Sequence, residues 1–86
     1  MKTVTIYTKD HCPYCHAAKA LLKSKGVAFT EVDLQKINDS DIEALERVTN
    51  GYRTVPQIFI GNEFIGGFDQ LRALDSSGEL DQKLKD

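Results

Sequence analysis

Thr3-Val4-Thr5-Ile6-Tyr7-Thr8-Lys9-Asp10-His11-Cys12-Pro13-Tyr14-Cys15 is the stretch that decides the fold. Its first half is a β-branched run in which Val4 and Ile6 alternate with threonines, the pattern of a strand over about residues 2–7. Thr8 to His11 then read as a loop. Pro13 suits the first position of a helix, where its missing N–H would have no partner anyway. Ala17, Ala18, Leu21 and Leu22 continue at helical spacing as far as Gly26. The two cysteines therefore fall where a strand gives way to a helix, one helical turn apart, and thiols so spaced can close a local disulfide. The chain contains no other cysteine.

Outward from that junction, Val27 to Leu34 alternates with imperfect phase as a second strand, so that strand, helix and strand form a β-α-β unit with a parallel pair and a right-handed crossover. Ser40-Asp41-Ile42-Glu43 has the serine and glutamate spacing of a capping box, and the helix it would open carries Ile42, Leu45 and Val48 before Asn50-Gly51 ends it. Pro56 precedes an apolar run, Gln57 to Ile60, and Glu63 to Ile65 can return antiparallel to it across Gly61-Asn62, a Gly-first two-residue turn. After Gly66-Gly67, Asp69 is positioned to cap a short helix carrying Leu71 and Leu74. Ser76-Ser77-Gly78-Glu79 offers another cap before Leu80 and Leu84. The expected order is βαβαββαα, without repeats or linkers.

Eighty-six residues at 41% hydrophobic content suffice for one domain over residues 1–86, with a modest core. Eleven basic and 13 acidic residues, interspersed, give a net charge of -2 and no broad positive face, so no nucleic acid partner is expected. Residues 1–7 read as a strand rather than a signal sequence, and no run approaches the length that spans a bilayer, so no membrane partner is expected either. A soluble cytoplasmic chain follows, acting as a monomer. In a reducing compartment a close cysteine pair is more often catalytic or metal-binding than structural.

If the helix starts at Cys12 or Pro13, the Cys12 sulfur lies where unpaired N–H groups and the positive end of the helix dipole converge, which favours a thiolate. The dipole contributes about 0.3–1 kcal/mol, and one pKa unit is about 1.4 kcal/mol, so a larger shift needs direct help. The N–H groups of Tyr14 and Cys15 and the charge of Lys9 are the candidates. Cys15, one turn further in, is expected to be more buried, which makes Cys12 the nucleophile and Cys15 the resolving thiol. A purely structural disulfide would constrain little of the unfolded chain across so short a loop. A zinc site would need His11 and His16 as further ligands, and sequence neighbours converge poorly on one tetrahedral centre; both histidines are expected to be exposed, as is the ring of Tyr14.

Cys12-Pro13-Tyr14-Cys15 by itself fits several thiol oxidoreductases. Together with Lys9, the run Arg53-Thr54-Val55-Pro56-Gln57-Ile58-Phe59-Ile60 and the segment Ile65-Gly66-Gly67-Phe68-Asp69, it resembles the glutaredoxins along essentially the whole chain, most closely the small dithiol bacterial type. The resemblance implies a thioredoxin fold, a four-stranded mixed sheet flanked by helices, and glutathione as the reducing cosubstrate with no bound cofactor and no metal. It also implies that Pro56 is cis and leaves the main chain of Val55 unpaired for the cysteinyl part of glutathione. Thr54 would hold that loop, and Lys9 and Arg53 would meet the glycine carboxylate. The glutamyl end would lie over Gly66-Gly67, held by main-chain N–H groups and by Asp69. Tyr14 and Phe68 would border the groove. Phe68 departs from the family, many of whose members carry another cysteine there.

The implied activity is reduction of glutathionylated proteins, mixed disulfides and protein disulfides, with ribonucleotide reductase among the candidate acceptors. Two alternatives stand beside it. A thioredoxin-like reductant fed by a flavoprotein reductase would have no use for Lys9, Gly66-Gly67 or Asp69 as glutathione contacts. A [2Fe–2S] cluster shared between two chains through one cysteine each is opposed by Pro13, which stiffens the turn.

Overall fold

Val4–Thr8 form β1, and their side chains alternate between a buried and a half-buried face. The computed structural model describes residues 1–86 and places β1 centrally, in a four-stranded sheet ordered β2-β1-β3-β4. β2 (Phe29–Asp33) runs parallel to β1, from Val4 opposite Phe29 to Thr8 opposite Asp33. β3 (Gln57–Ile60) is antiparallel to β1, and β4 (Glu63–Gly66) is antiparallel to β3. The helices are α1 (Pro13–Ser24), α2 (Asp39–Thr49), α3 (Phe68–Ser77) and α4 (Glu79–Leu84). The order βαβαββαα and the mixed sheet are as the sequence predicts.

Val4 and Ile6 of β1 and Ile58 and Ile60 of β3 face α1, α3 and α4, and join Ala18, Leu22, Val27, Leu71, Leu80 and Leu84 in one buried cluster. Lys25, at the end of α1, reaches Asp75 of α3 at 2.8 Å and Asp81 of α4 at 3.4 Å. The hydrogen bond to Asp75 and the two carboxylate charges hold its ammonium above the usual lysine value. The opposite sheet face carries an aromatic row, Tyr7–Phe59–Phe64–Tyr52, with ring centroids 5.1–5.7 Å apart. Only α2 covers this face, and it buries just Leu45 and Thr49.

Local chemistry moves several boundaries from the predicted ones. β1 runs on through Thr8, because Leu34 N–H still bonds Thr8 O (2.9 Å), whereas Lys2 N–H bonds Leu84 O (2.8 Å). α1 closes with Val27 N–H to Leu22 O (2.9 Å) and Gly26 N–H to Lys23 O (3.0 Å), with Gly26 at φ 70°. This is a Schellman motif, and it takes Val27 out of the second strand. The Ser40–Glu43 capping box does not form. Asn38 caps α2 instead, its Oδ1 accepting from Asp41 N–H (2.9 Å) and from the Ser40 hydroxyl (3.0 Å). Asn50 ends that helix in the left-handed region at φ 57°. Asp69 does not cap α3 either. Gly67 holds that position, and the Gln70 side chain reaches back to accept its N–H at 2.9 Å.

Candidate functional site

The strand-to-helix junction puts Cys12 at the N-cap of α1 in extended backbone (φ -117°, ψ 97°), with Pro13 as the first helical residue. Cys12 and Cys15 form a disulfide, their Cα atoms 5.2 Å apart. Cys12 Sγ accepts from Cys15 N–H at 3.0 Å, the bond an N-cap side chain makes to the third helical residue. In this disulfide form Cys15 N–H is the main-chain donor to the sulfur, and the expected second donor, Tyr14 N–H, makes no bond to it. No acidic residue occupies the first turn, so nothing there opposes a negative sulfur. Cys15 is the more buried of the pair, 2% exposed against 8%. His11 and His16 are exposed; His11 carries φ 57°, a left-handed turn immediately before the cysteine.

A charged set links β1, β2 and α1. The Thr8 hydroxyl donates to Glu31 Oε2 at 2.8 Å, and Lys19 of α1 pairs with the same carboxylate at 3.0 Å. The Thr8 bond first, and the Lys19 bond second, hold Glu31 below the ordinary glutamate value of 4.5.

Across from the disulfide, the Val55–Pro56 peptide is cis, and the carbonyl oxygen of Val55 lies 3.8 Å from Cys12 Sγ. Neither the N–H nor the C=O of Val55 enters the main-chain hydrogen bonding of the fold. Val55, Pro56, Thr54, Tyr14, Gly67, Phe68 and Asp69 line one groove of about 380 Å³ together with Tyr52 and Gln70. Lys9 and Arg53 lie in an adjoining cavity of about 400 Å³. Tyr52 belongs to both, so the cationic end and the glycine end meet at its ring. The residues expected to meet glutathione thus line two hollows that share Tyr52, and of these Val55 is the one whose main chain approaches Cys12 Sγ.

Individual side chains refine that picture. The Tyr14 ring is 63% exposed and stacks on Phe68 at 6.2 Å; the Arg72 guanidinium lies 5.8 Å from the centre of the Phe68 ring. Asp69 is exposed, 4.0 Å from Arg72. Thr54 does not hold its loop, for its exposed side chain makes no hydrogen bond there; Gln57 Nε2 does, donating to Tyr52 O at 3.0 Å. A Cβ on Gly67 would stand 2.8 Å from the Tyr52 hydroxyl, which shows how closely ring and turn approach. Tyr52, Gln57 and Gln70 are the site residues that sequence reasoning missed. The one available signal was Tyr52 itself, an aromatic residue set in a turn-forming segment. The largest cavity, about 590 Å³, lies elsewhere, between α2 and the outer sheet face.

The glutaredoxin family model matches residues 4–65 of this chain. Glutaredoxin 3 of Escherichia coli strain K12 is 53% identical to it over 85 residues, covering 99% of this chain and 100% of that protein. The solution structure of glutaredoxin from Brucella melitensis matches with a TM-score of 0.81 at 48% identity, covering 99% of this chain and 90% of that one. The crystal structure of a buckwheat glutaredoxin–glutathione complex matches with a TM-score of 0.82 at 32% identity, covering 94% and 74% of the two chains.

Proposed function

The chain belongs to the glutaredoxin family, and from that premise we propose how its residues carry out glutathione-dependent thiol–disulfide exchange on a thioredoxin fold. The observation that carries this is the Cys12–Cys15 pair at a helix N-cap, facing the unpaired main chain of Val55. In the reduced protein the Cys15 N–H aimed at Cys12 Sγ stabilises the thiolate, the nucleophilic form.

With a glutathionylated substrate, the Cys12 thiolate attacks the glutathione sulfur. The Cys12–glutathione bond forms, the old disulfide breaks, and the substrate leaves as its thiolate. A second glutathione thiolate then attacks the glutathione sulfur on Cys12, releasing oxidised glutathione and restoring the Cys12 thiolate. With a protein disulfide, Cys12 forms a mixed disulfide with one substrate sulfur and frees the other. Cys15 then attacks Cys12 Sγ, releases the reduced substrate and leaves the Cys12–Cys15 disulfide, which two glutathiones reduce in succession.

Glutathione lies with its cysteinyl part antiparallel to Val55, its glutamyl end over Gly67 and Asp69, and its glycine carboxylate toward Lys9 and Arg53. An unpaired strand edge beside the sulfur supports the first of these. The helix start at Gly67 supports the second, and the two exposed cations support the third. Thr54, Pro56, Tyr14 and Phe68 wall the groove. In this reading the chain acts as a monomer in the cytoplasm, where glutathione supplies its electrons, and ribonucleotide reductase is a candidate acceptor for the two-cysteine route. C12S should abolish both reactions, while C15S should keep reduction of a glutathionylated peptide and lose most reduction of a protein disulfide. Loss of both activities in C15S would refute the single-cysteine route.

A further inference from the structure

Gln57 Oε1 is the one buried side-chain nitrogen or oxygen in the molecule without a hydrogen-bond partner. The residue is 4% exposed, and an acceptor buried without a donor is costly enough that it calls for an explanation. Its amide has a fixed orientation, because Nε2 donates to Tyr52 O at 3.0 Å. Gln57 also lines the cavity that holds Lys9 and Arg53. Lys9 arrives there from the end of β1. Tyr7 lies opposite Gln57 in the β1–β3 pair, and Lys9, just past the last residue of that strand, lines the same cavity as Gln57. Lys9 is exposed and joins no ion pair.

We propose that Gln57 is a positioning residue for Lys9: when glutathione binds, the ammonium turns into the cavity and the unpartnered Oε1 accepts one of its hydrogens. This rests on the assignment of the cavity to the glycine carboxylate of glutathione. An ammonium has three donors, so one bond to Gln57 leaves two for the carboxylate. The bond to Gln57 limits the positions the long side chain can take in the complex, so the carboxylate meets an oriented donor.

The test is a double-mutant cycle on KM for a glutathionylated peptide. K9M should raise KM about tenfold, the loss of a charge-assisted hydrogen bond. Q57M should raise it about threefold, the ordering cost of one long side chain, and the double variant should match K9M alone. Q57M also removes the Tyr52 tie, a structural effect that operates with or without Lys9. If the two increases multiply, or if Q57M leaves KM unchanged while K9M raises it, the positioning role is wrong and the carboxylate assignment stands. An unchanged KM in K9M overturns both. Should Q57M fail to fold, the side-chain amide resonance of Gln57 takes its place: it should shift on glutathionylation of Cys12 in the native sequence and stay in place in K9M. An equal shift in both proteins overturns the proposal.

Discussion

Replacing Gly67 by alanine tests the packing of the groove most directly. The Gly67 backbone, at φ -102° and ψ -160°, is extended and open to any residue, so the substitution brings no conformational penalty. What it brings is a Cβ 2.8 Å from the Tyr52 hydroxyl and 3.5 Å from the Pro56 carbonyl. The hydroxyl ends a side chain with little freedom. Its ring sits edge-on to Phe64 at 5.1 Å and 73°, and its carbonyl is tied to Gln57. Overpacking of this kind costs about 1–3 kcal/mol, and the loss of glycine freedom in the unfolded chain returns about 0.4–1 kcal/mol. A net loss of about 1–2 kcal/mol is expected, a fall in Tm of roughly 4–16 °C for a domain of this size. In a Y52F background the clashing oxygen is absent, and G67A should then be neutral or slightly stabilising. Urea unfolding of the four oxidised proteins at constant slope measures the coupling. An equal cost of G67A in both backgrounds would refute the assignment of the clash to the Tyr52 hydroxyl.

Two more expectations concern stability. N38A should cost about 1 kcal/mol, the usual worth of an N-cap, whereas S40A should stay within about 0.5 kcal/mol; urea midpoints decide, and the reverse order would restore Ser40 as the cap. Glu31, held below its ordinary value by Thr8 and Lys19, has a depressed folded pKa, so its contribution is present above pH 4.5 and is lost as pH falls through the folded value. The carboxylate is 40% exposed, which limits the contribution to about 0.2–1 kcal/mol. The stability gap between the native protein and T8V should therefore narrow on acidification from pH 6 to 3, and a constant gap would rule out the Thr8 bond as the cause.

Most of the fold was legible because its signals are local. β-branched alternation marked β1, Pro13 fixed the start of α1, and the Gly61-Asn62 pair, with Gly61 at φ 58°, set the hairpin. The misplaced caps show the limit of that legibility. Ser40 satisfies a capping pattern, but Asn38, two residues earlier, offers an equally good acceptor, and the choice depends on where the chain leaves β2. Gly67 caps α3 without a side chain, which no residue pattern signals. At the site, Cys12 and Cys15 announce themselves by spacing, and the groove residues by resemblance. Tyr52, Gln57 and Gln70 stayed hidden because their roles arise from tertiary approach: an aromatic ring against a glycine, a strand amide reaching back to a loop carbonyl, and a helix side chain folded over its own first turn.

The unequal covering of the two sheet faces has a consequence for how substrates are admitted. On one side α1, α3 and α4 set five buried residues, Ala18, Leu22, Leu71, Leu80 and Leu84, into the core, whereas α2 is anchored to the other by Leu45 and Thr49, with hollows on both sides of Leu45. Segments held by so few apolar contacts detach at the lowest free energy. One wall of the hollow that holds Lys9 and Arg53 is drawn from this least firmly packed helix, through Ile42, Leu45 and Glu46, whereas Cys12 and Cys15 stand at the start of a helix packed into the core; in the proposed placement of glutathione, its glycine end meets the side of the molecule that yields most readily.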